Sequence, residues 1–320
     1  MDINVEKLFI EKLSKEGNVY ITSKRSEVEN QSQTNEVFSE KWGKYNKEEI
    51  TEQEKLFEFQ KKWYLNLYGF ENENDLKKYL NDKDVILDAG CGLGYKAKWF
   101  ADLSPKTLVL AMDYSNAVFH AEKKYHHYSN MIFIKGDIAN TKLKNNVLDY
   151  VSCDQVIHHT ENPLATMQEL TRVLKPKSEF AVYVYAKKAL PRELLDEYFR
   201  KKTKTISNTE MWEFSKQMTE LGKRLTDLKI EFDSPEIPLL GIKGGKTDLQ
   251  RFIYWNFIKC FWNEELGLET SISTNYDWYA PSNAERYTKD EFLSMISECE
   301  LATTFIHSEE ACHSGRFEKN

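Results

Sequence analysis

The sequence predicts an α/β fold built on a doubly wound, mostly parallel β-sheet, and three observations carry that reading. Short strand-like runs recur at Val85–Asp88, Thr107–Met112, Met131–Ile134, Leu148–Ser152 and Glu179–Tyr185, each about the length of one buried strand. Stretches of helical spacing lie among them at Lys96–Leu103, Asn116–Tyr128 and Pro163–Val173. Strands alternating with helices in this way form a parallel sheet with right-handed crossovers. The first two runs lead into aspartates, Asp88 and Asp113, and the first continues as Ala89-Gly90-Cys91-Gly92-Leu93-Gly94, a tight turn at the strand end where open α/β sheets bind ligands.

The elements follow in order. Residues 1–30 are polar with one short amphipathic stretch and read as a loose helix or a mobile arm. Phe38, Trp42 and Tyr45 stand at i, i+4 and i+7, one face of a helix. A second helix runs from about Thr51 to Leu67. After the fifth strand the alternation stops, and three helices are expected at Leu190–Lys201, Thr209–Leu228 and Asp248–Trp262, linked by the turn-rich stretches 233–238 and 241–245. The sheet pattern returns with a helix at Lys289–Cys299 and an antiparallel pair at Ala302–Ile306 and Ala311–Phe317. Four regions result: N-terminal helices in 1–82, a cofactor-binding core in 83–186, a mainly helical insertion in 187–283 that forms an acceptor lid, and the closing helix and strands of the core in 284–320.

Composition narrows the class. The 320 residues are 41% hydrophobic and 30% charged, and 44 basic against 51 acidic residues leave a net charge of −7. General nucleic-acid binding is therefore not expected. No apolar run reaches the ~18 residues of a membrane span, and the N-terminal stretch is too charged for a secretory signal. A cytoplasmic protein is expected, its oligomeric state left open. The five cysteines are scattered with no C-x-x-C pair, which fits reduced thiols rather than a disulfide framework, and no metal is expected.

The glycine turn carries the strongest chemical signal. Glycines let the backbone approach a ligand where a β-carbon would intrude, and the following helix offers its free N–H groups to an anion. The dinucleotide pattern G-x-G-x-x-G fails at its third position, where Tyr95 stands. The form D-x-G-x-G-x-G instead resembles the first motif of the class I, Rossmann-like S-adenosylmethionine-dependent methyltransferases. The likeness continues with Asp113, Gly136-Asp137-Ile138, Asp149-Tyr150-Val151, His158-His159-Thr160-Glu161-Asn162-Pro163 and the run Leu170–Pro176, over about a hundred residues.

The resemblance implies a seven-stranded Rossmann-like sheet, S-adenosyl-L-methionine as cofactor, and a role for each matching residue. Asp88 and the backbone of Gly90, Cys91 and Gly92 would hold its methionine end, with Cys91 a small loop residue rather than a nucleophile. Asp113 would bind the ribose, Tyr114 and Ile138 would flank the adenine, and Asp137 would accept from its amino group. Asp154 joins this cofactor set. Trp42 and Tyr45 belong to a Thr34-Phe38-Trp42-Tyr45 element similar to one that covers the cofactor in some small-molecule methyltransferases.

Methyl transfer mainly requires positioning, with a base added where the acceptor carries a proton. His159 and His158 follow the fourth strand at the carboxyl edge and are the first candidates, with His159 expected to face the acceptor. Asp277 and Tyr279 lie in Asn275–Pro281, which resembles an acceptor-bordering segment of the same group, and are the second. Asp154-Gln155-Val156-Ile157 replaces the N/D-P-P-Y/F signature of DNA amino-methylating enzymes. A small or medium organic acceptor is the first expectation, with Trp255, Phe257, Phe261, Trp262 and Trp278 available for an apolar pocket. An RNA or protein acceptor, a different transfer from a modified cofactor, and an inactive partner subunit are the alternatives.

Overall fold

A computed structural model describes residues 5–22, 28–45, 50–202 and 205–320, without the side chains of 45, 50 and 51. After a short 3-10 turn at Val5–Leu8 come strands β1 (Ser14–Glu16) and β2 (Val19–Ile21), then helices α1 (Glu29–Tyr45), α2 (Ile50–Tyr68) and α3 (Glu73–Asn81). The core alternates as β3 (Val85–Ala89), α4 (Tyr95–Leu103), β4 (Leu108–Asp113), α5 (Ala117–Tyr125), β5 (Met131–Lys135), β6 (Leu148–Cys153), α6 (Pro163–Val173) and β7 (Leu174–Ala186). The chain then leaves the sheet for α7 (Leu190–Lys202), α8 (Asn208–Asp227), the hairpin β8 (Glu231–Ser234) and β9 (Gly245–Asp248), α9 (Leu249–Asn256) and α10 (Leu268–Tyr279). It returns through β10 (Arg286–Tyr287), α11 (Lys289–Glu298), β11 (Leu301–Ser308) and β12 (Cys312–Lys319).

The sheet runs β1-β2-β5-β4-β3-β6-β7-β12-β11, with β10 beside β7. Its inner strands pair parallel, and β12 runs antiparallel to both β7 and β11. The strands read as unbroken apolar runs because both faces are covered. Ile86, Val109 and Tyr150 pack on one side with Leu76 and Phe100, while Leu87, Leu110 and Val151 pack on the other with Met167 and Phe292. The connections from β3 go outward to β4 and then back across to β6, so the loops after β3 and β6 diverge and open a crevice at their carboxyl ends.

The doubly wound, mostly parallel sheet is present as expected, with ten strands where seven were expected, and two local expectations need correction. The seven expected ones form its core, and the extra pairings come from β10 and from residues 14–21, which form a hairpin, not a helix or a free arm. Tyr20 and Ile21 pair parallel with Ile134 and Lys135 of β5, and Val19 is buried. Three-residue strands show too little periodicity to read locally. The helix expected over Asp248–Trp262 ends at Asn256, with the Asp248 side chain capping it by accepting from the Arg251 N–H at 2.9 Å. Asp277 and Tyr279, in the segment expected to border the acceptor, occupy the end of α10.

The helices after β7 pack among themselves around Met211, Trp212, Tyr276 and Trp278. Helix α1 is tied to the end of α10 by Gln33 Nε2 donating to the Ala280 carbonyl at 2.9 Å and by the Asn283 N–H donating to Thr34 Oγ1 at 3.0 Å. These bonds bring the N-terminal helix and the inserted helices to the same side, over the crevice. No helix among the described residues is long and apolar enough to cross a membrane.

Candidate active site

The crevice is a single cavity of about 600 Å³. Its floor is the turn after β3. Gly90 has φ +83°, and a Cβ there would fall 2.3 Å from Val156 Cγ2, so the turn closes tightly on the loop after β6. Gly92 has φ +51°, and a Cβ on it would sit 3.3 Å from the Trp42 indole, which places the α1 tryptophan against the loop. Both positions favour glycine for their positive φ, and Gly90 needs it for space as well.

The acids gather at this end. Asp113, at the end of β4, accepts the Gly92 N–H at 2.7 Å with Oδ2, and the Ser115 N–H and hydroxyl at 2.8 and 2.6 Å with Oδ1. Each oxygen of a carboxylate has two acceptor directions, so Oδ2 keeps one for a ligand after bracing the loop. Burial nevertheless raises the acid's pKa, against the lowering effect of the bonds from Ser115 and Gly92. Tyr114, Asp137, Ile138, Cys91 and Trp42 line the same wall. Asp137 Oδ1 also accepts the Ala139 N–H at 2.8 Å and so shapes the turn after β5. The side chain of Tyr45 lies outside the described residues.

Beneath the glycine turn stands an ion cluster whose cation the motif reading did not identify. Lys96, in the first turn of α4, lies 3.4 Å from Asp88 Oδ1 and 3.2 Å from Asp154 Oδ2, and all three side chains are buried. The Tyr68 hydroxyl donates to Asp154 Oδ1 at 2.8 Å. Neither Asp88 oxygen accepts a hydrogen bond of good geometry. Burial pushes Asp88 up to about 6, a rise that Lys96 tempers, whereas the two carboxylates raise the Lys96 ammonium and hold its proton. Asp88 lies under the loop rather than in the cavity wall, while Lys96 and Asp154 reach it. This donor and acceptor set fits an S-adenosylmethionine molecule, whose ribose hydroxyls and cationic groups call for carboxylates against a glycine loop.

His158 and His159 lie in a 3-10 turn, Ile157–His159, not in extended chain. His159 lines the cavity. Its Nδ1 is 2.7 Å from the Asn283 carbonyl, which can only accept, so Nδ1 carries the hydrogen and Nε2 the lone pair. Burial pushes its pKa down to about 4. His158 is fully buried behind it, its ring 3.7 Å from that of Tyr185, and burial likewise lowers its pKa. Asp277 lines the cavity and holds Lys41 Nζ at 2.5 Å. The Tyr279 hydroxyl is spent on the Lys259 carbonyl at 2.8 Å, behind the wall.

The wall beyond His159 is aromatic and basic. Tyr185, Trp255, Phe261 and Trp278 line it, whereas Phe257 and Trp262 do not, and Lys188, Arg192, Arg251 and Lys259 join them. Composition and local spacing point to none of these cations, because they lie in three separate stretches of chain. At the tip of the β11–β12 hairpin, ligand atoms of His307, Glu309 and Cys312 come within 4.8 Å of one another. Burial, with Glu309 beside it, raises the Cys312 pKa, so the sulfur stays a thiol donating to Glu309 at 3.8 Å.

Comparison with known proteins gives the same picture for the core. The profile of the family described as "Methyltransferase domain" matches residues 87–182. The chain is 33% identical over 104 residues to a sterol 24-C-methyltransferase of Saccharomyces cerevisiae, covering 31% of this chain and 27% of that one. It is also 33% identical over 90 residues to a malonyl-[acyl-carrier protein] O-methyltransferase of Legionella pneumophila, covering 28% and 32%. The chain thus spans about a third or less of the length of these two relatives. Among solved structures, a SAM dependent methyltransferase from Aquifex aeolicus aligns over 79% of this chain and 90% of its own, at 15% identity and a TM-score of 0.41.

Proposed function

We propose that this chain, which belongs to the class I, Rossmann-like S-adenosylmethionine-dependent methyltransferases, moves a methyl group to a small or medium organic acceptor held in the inner half of its cavity. One observation carries the reading. A single enclosure joins the glycine turn and the carboxylates at the end of β4 and just after β5 to an aromatic chamber walled by α9 and α10. A space of about 600 Å³ is in the range of small-molecule sites, which are enclosed and mostly apolar. The alternative of an RNA or protein acceptor requires the reacting nucleotide or side chain to insert into this chamber.

S-adenosylmethionine, when bound, supplies a methyl carbon attached to a positively charged sulfur. The acidic end of the cavity attracts that positive charge. Trp42 over the loop and the helix bundle over the chamber exclude water, so that attack by the acceptor meets little competition. His159 offers its Nε2 lone pair to an acceptor hydroxyl or amine. With its pKa near 4 it is a weak base at neutral pH, so its role is to orient the acceptor and its proton, with positioning providing most of the acceleration. Asp277 is held as a partner of Lys41, which makes this pair a link between α1 and the roof.

Calorimetry with S-adenosylhomocysteine tests the cofactor half. Binding is expected, and Asp113→Ala should weaken it by ~1.5–3 kcal/mol for each charged hydrogen bond lost. Tight binding of NADH with none of S-adenosylhomocysteine would refute the reading. For the acceptor half, substitutions of Trp255 should change acceptor KM while leaving cofactor affinity unchanged.

A further inference from the structure

The far end of the cavity carries a charge pattern that methyl transfer itself does not need. Lys188, Arg192, Arg251 and Lys259 all stand in its wall, supplied by the chain after β7, by α7, by α9 and by the loop that follows α9. Arg192 is fully buried and Lys259 only 6% exposed. Arg192 has its charge answered within the protein: Nε donates to Asp196 Oδ2 at 2.9 Å, and the other oxygen of Asp196 accepts from Trp278 Nε1 at 2.9 Å. The other three do not. Lys188 Nζ donates only to the neutral carbonyls of Ala186 and Ala311, at 2.5 and 3.3 Å. Among the described residues, Lys188, Arg251 and Lys259 form no ion pair. Of the acids in the same wall, Asp277 is paired with Lys41 at 2.5 Å, and Glu309 accepts from the Cys312 thiol at 3.8 Å and forms no ion pair with these cations.

Uncompensated cations in a closed, partly desolvated space are costly. Aromatic faces relieve part of that cost: Lys259 Nζ lies 4.5 Å from the Trp278 centroid, Arg192 4.8 Å from the same ring, and Lys188 5.4 Å from Trp255. Such contacts are each worth only ~0.5–2 kcal/mol and leave the net charge in place. Crowding has a visible effect, since burial together with Arg192 and Lys259 pushes Lys188 down to about 7. An anion entering this end would favour its charged form and satisfy several donors at once. From the cations the wall continues to the histidine through two ring contacts, Trp278 to Tyr185 at 4.8 Å and Tyr185 to His159 at 5.5 Å.

We propose that the acceptor is an anionic aromatic molecule. Its carboxylate or phosphate group is held by Lys188 and Lys259, its flat body lies against Trp255 and Trp278, and the atom that takes the methyl group lies at the opposite end, near His159. Calling this molecule the acceptor rests on the methyltransferase reading; the preference for an anion does not.

The test uses the full chain and three matched probes, 2-naphthoate, 2-naphthyl phosphate and the neutral 2-naphthamide, titrated by calorimetry with and without S-adenosylhomocysteine. One or both anions should bind about tenfold or more tightly than the amide, and the tighter of the two identifies the group. Added salt should weaken the anions and leave the amide unchanged. Lys259→Met and Lys188→Met should each reduce the preference while S-adenosylhomocysteine still binds, which also shows that the variants fold; Lys259→Arg should retain it. Equal affinity for all three probes, no saturable binding of either anion in the millimolar range, or a preference unchanged by both substitutions overturns the proposal. Failure of the parent chain to bind S-adenosylhomocysteine would refute the methyltransferase reading instead, and the anion preference would be judged on the probe titrations alone.

Discussion

Replacing Lys96 by methionine removes the ammonium that stands between Asp88 and Asp154. The side chains of the three residues are 6%, 0% and 3% exposed, with separations of 3.4 and 3.2 Å. At such distances and an effective dielectric near 20, each attraction is about 5 kcal/mol. Most of that offsets the several kcal/mol lost in desolvating each ion, and breaking a buried pair typically costs ~3–5 kcal/mol because the remaining charge is left uncompensated. Lys96→Met should therefore lower unfolding stability by about 3–5 kcal/mol at pH 7.5, read from urea transitions with the slope checked for constancy. The triple variant Lys96→Met, Asp88→Asn, Asp154→Asn should recover most of the loss, since no buried charge of the cluster then remains. The pH dependence has a definite sign. Burial raises the Asp88 carboxyl to about 6 in the folded chain, so the folded state binds that proton more readily than the unfolded state. Its stabilising contribution is present at low pH and is lost as pH rises through about 6. The deficit of Lys96→Met should accordingly be smaller at pH 5 than at pH 7.5. A loss below about 1 kcal/mol, the range of exposed ion pairs, or a triple variant no more stable than the single one, would refute this account of the cluster.

Three further outcomes are expected. Gly90→Ala places a methyl group 2.3 Å from Val156 Cγ2 at φ +83°, a strained backbone that costs ~1–2 kcal/mol before any clash; S-adenosylhomocysteine affinity should fall, with partial recovery on adding Val156→Ala, as measured by calorimetry. The His159 ring should stay neutral from pH 6 to 9, with its NMR titration near pH 4. Because that pKa is depressed, its stability contribution is complete above the unfolded value near 6.5 and is lost as pH falls towards 4. A bell-shaped turnover profile whose inflection near 6.5 disappears in His159→Gln would contradict this. Trp42→Ala should speed cofactor release and remove any ligand-induced slowing of hydrogen exchange in α1, whereas unchanged release would make the indole ordinary packing.

Much of the sheet core was legible in the sequence because parallel strands covered on both faces carry apolar residues continuously, as Val85–Leu87 and Leu108–Met112 do. The glycine turn and Asp113 were legible because backbone conformation and a strand-end carboxylate are local properties, written in consecutive residues. Tertiary structure decided the rest. The hairpin at 14–21 is stabilised by pairing with β5, a partner more than a hundred residues away. Which histidine meets the cavity depends on the 3-10 turn at 157–159 and on the Asn283 carbonyl, not on alternation along an extended chain. Lys188 and Lys259 stand 71 positions apart, and nothing in the neighbourhood of either residue signals the other. Their shared wall exists only because α7, α9 and α10 fold back over the carboxyl edge of the sheet. A pattern in sequence can report the burial and conformation of one element, whereas the gathering of uncompensated charge depends on distances that only packing among several elements sets.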